Sequence, residues 1–229
     1  MNVLALETSM GVCSAAVLRG DNGARALFAR LEMMERGHAE ALMPMVAEVM
    51  SEAGLDYSDL DLVAATTGPG SFTGVRIAIA AARGLALVTK AKLFGADSLT
   101  VMARAARESG IATGMPLALA VDARRGMLYF GLYDAAGRRL EGPLLISPEN
   151  AAALLPPELG NVVGSGAGQL AEAAERRGRR IEATGCELQP SAVSLAEIAA
   201  ESGKTTPILR PLYLRPPDAK PQAQQVARR

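Results

Sequence analysis

Residues 3–18 read VLALETSMGVCSAAVL, and residues 116–133 read PLALAVDARRGMLYFGLY. In each, an apolar run ends on an acidic residue, turns through small and polar residues, and resumes as a second apolar run. Apolar runs bounded in this way are strands, and two in close succession make a hairpin. The acidic residues Glu7 and Asp122 stand 115 positions apart, as do the turn glycines Gly11 and Gly126. The elements after each hairpin repeat as well. After the first come the turn Gly20-Asp21-Asn22-Gly23 and a third strand reaching about Met34. Leu42, Val46, Val49, Met50 and Ala53 then recur at helical spacing, so a helix is expected over His38–Ala53, with Gly54 to end it. A buried strand over Leu60–Thr67 runs into a glycine loop and a helix at about 73–89, followed by a strand near Lys92–Phe94 and a helix from about Ser98. In the second half, the strand Asn161–Val163 again runs into glycines, at Gly164-Ser165-Gly166, and a helix. A duplicated α/β unit explains this order, and two lobes with acidic or hydroxyl residues at their hairpin turns describe the actin-like ATPase (ASKHA) architecture. The expected division is residues 1–103 for the first lobe and 104–215 for the second. The segment 216–229, rich in Pro and Gln without apolar periodicity, is expected to be a disordered tail.

Composition narrows the function classes. The chain has 229 residues, a formal net charge of +0 and 49% hydrophobic residues, but only 3% aromatic and no Trp. The core must therefore be built from Ala, Val, Leu, Ile and Met. Balanced charge argues against a free-standing nucleic-acid binder, though not against a local basic face. Cys13 and Cys186 are far apart and in no metal-ligand spacing, which favours a reducing compartment. Without an apolar run of about 18 residues or a signal-peptide pattern at the N-terminus, a cytoplasmic protein with no membrane contact is expected.

The loop Gly68-Pro69-Gly70-Ser71-Phe72-Thr73-Gly74-Val75-Arg76 lies between a strand and a helix. Its glycines permit close approach of a ligand, and Ser71 or Thr73 can cap the helix, whose N-terminus would favour an anion. The spacing is neither a dinucleotide fingerprint nor a P-loop. Phosphate binding and a tight structural turn both remain open. The helix behind the loop is apolar almost all round, broken only by Arg76, Arg83 and Lys90. Such a helix is buried or meets a partner.

The string GPGSFTGVRIAIAAARGLA at 68–86, with LALETS at 4–9, VDARRG at 121–126, VGSGA at 163–167 and PLYLR at 211–215, resembles the bacterial TsaB (YeaZ) family. The first string is highly specific, and the resemblance spans the chain to about Arg215. It implies an actin-like fold and a non-catalytic part in making threonylcarbamoyladenosine at position 37 of tRNAs that read ANN codons. It further implies pairing with the catalytic paralogue TsaD, joined by the ATPase TsaE, with tRNA reached through the complex and a homodimer in isolation. On that resemblance the two first-lobe helices form the partner contact, and the interface residues expected are His38, Leu42, Val46, Val49, Val75, Ile79 and Arg83. No intrinsic cofactor is implied, with ATP or ADP a matter for the complex.

The catalytic relatives carry a His-x-x-x-His pair on the helix after the fifth strand. In this chain Ser98 and Met102 occupy those positions, and His38 is the only histidine. No metal site and no catalytic residue is therefore expected, and a metallopeptidase reading fails. His38 reads most simply as a capping or packing residue. Ser71 lacks a histidine base other than His38 to activate it. Glu7, Thr8 and Ser9 lie where actin-like ATPases meet phosphate, with Asp122 in the equivalent second-lobe turn, and the candidates for nucleotide contact are Glu7, Thr8, Ser9, Gly68, Gly70, Ser71, Gly164 and Gly166, against structural turn roles. Arg124 and Arg125 form a basic turn that can meet tRNA phosphate or sit solvated at a hairpin tip. The alternative function on this fold is a small-molecule kinase or ATPase.

Overall fold

In the computed structural model, which describes residues 1–21, 24–112 and 114–215, the repeat seen in the sequence becomes two sheets of one plan. Strands β1 (Asn2–Glu7), β2 (Val12–Asp21) and β3 (Ala24–Met33) form an antiparallel meander. β4 (Leu62–Thr66) and β5 (Lys92–Ala96) add beside β1 in parallel, giving the order β3-β2-β1-β4-β5. The second sheet repeats this with β6 (Leu117–Asp122), β7 (Leu128–Tyr133), β8 (Arg139–Ile146), β9 (Asn161–Val163) and β10 (Glu182–Thr184), in the order β8-β7-β6-β9-β10. Again the first three strands are antiparallel and the last two parallel. Each lobe carries three helices at matching points: α1 (His38–Ala53), α2 (Phe72–Thr89) and α3 (Ser98–Glu108) in the first, α4 (Pro148–Ala153), α5 (Ala167–Glu175) and α6 (Ala192–Ser202) in the second. The fold is α/β and actin-like. The turn residues Asn22 and Gly23 and the segment 216–229, expected to form a hairpin turn and a disordered tail, lie outside the described residues.

β1 is apolar without alternation because both its faces are covered. Leu4 and Leu6 meet α1 and α2 on one side, while Val3 and Ala5 meet α6 on the other. The outer face of the second sheet is covered by α4 and α5. The third helices exchange places. α3 follows the first sheet but lays Leu99, Met102, Ala103 and Ala106 against Leu117, Leu119, Val121 and Tyr133 of the second. α6 follows the second sheet but packs Ala192, Leu195, Ala196 and Ala199 on the first. The boundary expected at 103/104 therefore falls inside α3, and the chain after β10 returns to the first lobe. Leu209, fully buried, completes the first-lobe core.

No apolar run of membrane-spanning length is expected from the sequence, yet α2 is long and apolar enough to cross a membrane by length and composition. In the fold only one side of it is core. Val75, Ala78, Ile79 and Ala82 are buried against the first sheet, and Ser71 Oγ accepts the Gly74 amide at 2.9 Å as its N-cap.

Candidate functional site: the inter-lobe cleft and the outer helices

Four connections converge between the lobes: the β1–β2 turn, the β4–α2 glycine loop, the β6–β7 turn and the β9–α5 loop. Between them lies a cleft of about 390 Å³ with Ser9, Gly70 and Ser71 on the first-lobe side and Asp122, Arg124 and Ser165 on the second. Met10, Met102, Tyr129, Leu188, Gln189 and Arg215 also line it, and no sequence pattern singled these out as cleft residues. Gln189 bridges the lobes, its Oε1 accepting the Gly11 amide at 3.1 Å.

The first-lobe side is fastened to itself. Ser71 N donates to the Ser9 carbonyl at 2.7 Å, and Thr8 Oγ1 donates to the Gly74 carbonyl at 2.7 Å. A Cβ at position 74 would collide with the Thr8 carbonyl oxygen, so glycine is required there by the approach of loop to turn. The Gly68 carbonyl accepts Ser98 N at 2.9 Å, tying the loop to α3. Of the eight phosphate candidates, only Ser9, Gly70 and Ser71 reach the cleft wall. Glu7 and Thr8 are fully buried behind it. In the second lobe, Gly166 N donates to the Ala120 carbonyl at 2.9 Å, Gly164 accepts Ala167 N at 2.9 Å, and Ser165 Oγ accepts Asp122 N at 3.1 Å. These glycines hold their loop against β6, and of this loop only Ser165 lines the cleft.

Glu7 and Asp122 therefore differ in use despite their matched positions. Asp122 is exposed, and its Oδ1 accepts the Arg124 amide at 2.8 Å. Glu7 is buried, with Oε1 accepting from Ser9 N at 2.5 Å and Ser9 Oγ at 2.6 Å. Ser9 Oγ also lies 2.8 Å from Ser98 Oγ. Glu7 Oε2 and Thr66 Oγ1 are buried without a hydrogen-bond partner of ordinary geometry. Burial raises the Glu7 pKa, against opposing contributions from Ser9 and Thr66. Burial behind the cleft wall keeps this carboxyl from reaching a metal or phosphate in the cleft. A nucleotide triphosphate would find the Ser71 and Gly74 amides already bonded within the lobe.

The family model described as "TsaD: tRNA N6-adenosine threonylcarbamoyltransferase" matches residues 32–210. The tRNA threonylcarbamoyladenosine biosynthesis protein TsaB of Escherichia coli is 36% identical over 156 residues, which are 68% of this chain and 63% of that protein. The chain thus spans under two thirds of that relative's length. An uncharacterized protein of Mycobacterium tuberculosis is 33% identical over 224 residues, 96% of this chain and 95% of its own. The solved structure of YeaZ from Pseudomonas aeruginosa superposes with a TM-score of 0.78 at 33% identity, covering 93% of this chain and 99% of that one. The chain belongs to the TsaB/YeaZ family.

In this TsaB-family chain, Ser98 and Met102 do not form a ligand pair. Ser98 is buried in the hydroxyl contact with Ser9, while Met102, also almost wholly buried, packs on the second sheet and closes the cleft floor. Among the described residues, no group of three or more His, Cys, Asp or Glu side chains is placed to hold a metal ion.

Five of the seven interface residues expected from the resemblance lie in the core of the first lobe. Leu42, Val46, Val49, Val75 and Ile79 all point into the first-lobe core, each at most 3% exposed. His38 is nearly buried, with Nε2 3.1 Å from the Met10 carbonyl, where it steadies the β1–β2 turn. Arg83 is exposed but its guanidinium binds the Leu209 carbonyl. The exposed residues of α1 include Ala39, Met43 and Ala47 beside Glu40, Pro44, Glu48 and Glu52, and those of α2 include Ala80, Gly84, Leu87 and Val88 beside Arg76 and Arg83. Leu87 and Val88 are 84% and 82% exposed.

Proposed function

We propose that this chain is a non-catalytic subunit of the machinery that installs threonylcarbamoyl on N6 of adenosine 37 in tRNAs reading ANN codons. It acts by docking a TsaD-like transferase on the outer face of α1 and α2. The observation that carries this reading is the apolar stripe on α2, where Ala80, Gly84 and Leu87 recur on one exposed side of a helix whose opposite side is already core. Small residues at this spacing admit a second helix at close range, and large exposed apolar surface marks an interaction site. The internally bonded first-lobe turns support a subunit that does no phosphoryl chemistry itself. A TsaE-like ATPase joins the pair, nucleotide belongs to that assembly, tRNA is met through it, and the same helices make a homodimer when the chain is alone. The work is cytoplasmic, with the two lobes as its structural domains.

Reconstitution tests the proposal. The purified chain should leave a tRNA transcript unmodified, and modification should require it together with TsaD-like and TsaE-like proteins and the enzyme that supplies threonylcarbamoyl adenylate. Transfer by this chain alone, or unaltered transfer when it is omitted, would overturn the reading. Magnesium-dependent ATP turnover by the isolated chain would establish a kinase or ATPase in its place.

A further inference from the structure

At the N-terminal end of α2, two of the chain's eight aromatic residues stand together at the surface. Phe72 and Tyr213 stack with centroids 5.5 Å apart and planes 24° from parallel, at 55% and 47% exposure. The Arg76 guanidinium lies 3.7 Å over the Phe72 ring, and its Nε donates to Tyr213 OH at 2.7 Å. Holding the C-terminal strand of chain in place does not account for this exposure. That segment is anchored by fully buried Leu209, by Thr206 N to the Leu93 carbonyl at 2.6 Å and by Leu212 N to the Thr67 carbonyl at 2.7 Å. Aromatic surface left half in water is poorly used for anchoring when a buried leucine already does it.

Arginines stand on either side of Tyr213 in the chain, at positions 210 and 215. Arg210 is exposed, and Arg215 Nη2 donates to the Ala123 carbonyl at 2.9 Å, which sets it beside the exposed Arg124. Arg124, Arg125 and Gly126 take φ of 63°, 57° and 68°, so two arginines occupy a left-handed conformation that side chains disfavour. Strain of this kind gathers at working sites. Half-exposed π faces flanked by guanidinium groups are the means by which proteins hold unpaired bases while neutralising the phosphates between them.

We propose that the Phe72–Arg76–Tyr213 stack, with Arg210 and Arg215, is a contact surface for unpaired RNA, stacking a base while the arginines meet the backbone. The identity of that RNA as a tRNA loop rests on the function proposed above. This aromatic and cationic end of α2 adjoins the Ala80–Leu87 stripe, which is small and aliphatic with the exposed Arg83 beside it.

Fluorescence anisotropy on the full-length chain tests it with two probes, a labelled tRNA anticodon stem–loop and a perfectly paired RNA duplex of equal length. The stem–loop should bind more tightly than the duplex. Phe72→Leu and Tyr213→Leu should each weaken stem–loop binding about ten-fold while leaving the duplex unaffected, as expected for loss of one base stack. Arg210→Gln should weaken both probes and reduce the salt slope by about one. Leucine variants that keep the parental circular dichroism and the parental stem–loop affinity would overturn the proposal. So would loss of association with the TsaD-like protein at unchanged RNA affinity, which would assign the stack to the protein interface. Should a leucine variant fail to fold, the Arg210→Gln salt slope decides alone, and an unchanged slope overturns the proposal. These measurements read RNA affinity of this chain itself, whereas the reconstituted modification assay reads the proposed subunit role, so the two can fail separately.

Discussion

Gly74 lies so close to Thr8 that the glycine carbonyl accepts the threonine hydroxyl at 2.7 Å and no Cβ fits between its Cα and the Thr8 backbone carbonyl. This contact welds the glycine loop to the β1–β2 turn, and it uses for packing a motif whose sequence equally suggests phosphate. Gly74→Ala should therefore cost about 1–3 kcal/mol, the usual penalty for forcing extra volume into a packed site. Gly84→Ala, on the open face of the same helix where a Cβ meets nothing within 4 Å, should instead add about 1 kcal/mol through helix propensity. Urea denaturation of the two variants measures both, and equal effects would contradict the assignment of Gly74 to packing.

Glu7 should make stability fall as pH rises. Burial sets its folded pKa above the ordinary 4.5, so over the interval between the unfolded and folded values the native state binds more protons than the unfolded chain. The stabilisation is fully present below the unfolded pKa and is lost as pH climbs through the folded one. Glu7→Gln, which keeps the shape and cannot ionise, should lose this dependence. The stability difference, variant minus parent, should grow from about pH 4.5 upward and then level off. Denaturation midpoints across a pH series test it, and a constant difference would show that folding leaves the Glu7 pKa unshifted.

The succession of first-lobe elements along the chain and the limits of α1 were legible because turn residues and helical spacing are local signals: the helix read as His38–Ala53 has those ends in the structure. The repeat was legible for the same reason, but not its details. Glu7 pairs with Ser14 across the first hairpin and Asp122 with Leu128 across the second, so the second turn is one residue shorter. Gly126 consequently takes a left-handed φ that its counterpart Gly11 does not. The exchange of α3 and α6 was illegible, since an apolar stripe says which face is covered and not which sheet covers it. The cleft suffered similarly. Its hydroxyls and glycines were found, yet whether they face a ligand or one another depends on contacts between residues such as Ser9 and Ser98, 89 positions apart.

Leu209 is expected to carry more of the fold than its place near the end of the chain suggests. It is fully buried among first-lobe residues, and the Arg83 guanidinium holds its carbonyl. Leu209→Ala should destabilise the protein by about 2–5 kcal/mol, the range for truncating a buried leucine. Ile208→Ala, at a 58% exposed neighbour, should change it by less than about 0.5 kcal/mol. Thermal and chemical unfolding of the pair distinguish an integral segment from a loosely attached one.

The two faces of α1 and α2 should separate folding from assembly. Val46 and Ile79 are buried in the first-lobe core, so an arginine at either must place an unpaired charge among Leu4, Leu6 and Val63. Val46→Arg and Ile79→Arg should therefore cost several kcal/mol and unfold the chain. Ala80 and Leu87 face solvent, and Ala80→Arg or Leu87→Glu should leave the monomer's circular dichroism and melting temperature close to the parent's. The same two changes place a charge in the stripe proposed to meet the TsaD-like partner, where it would be desolvated on docking. Light scattering should then show monomers where the parent self-associates, and mixing with the partner should give no heterodimer. A folded Leu87→Glu variant that still assembles normally would move the docking surface elsewhere on the molecule. Because sequence alone put the partner against Val46 and Ile79, the contrast between these substitutions tests the outer face directly.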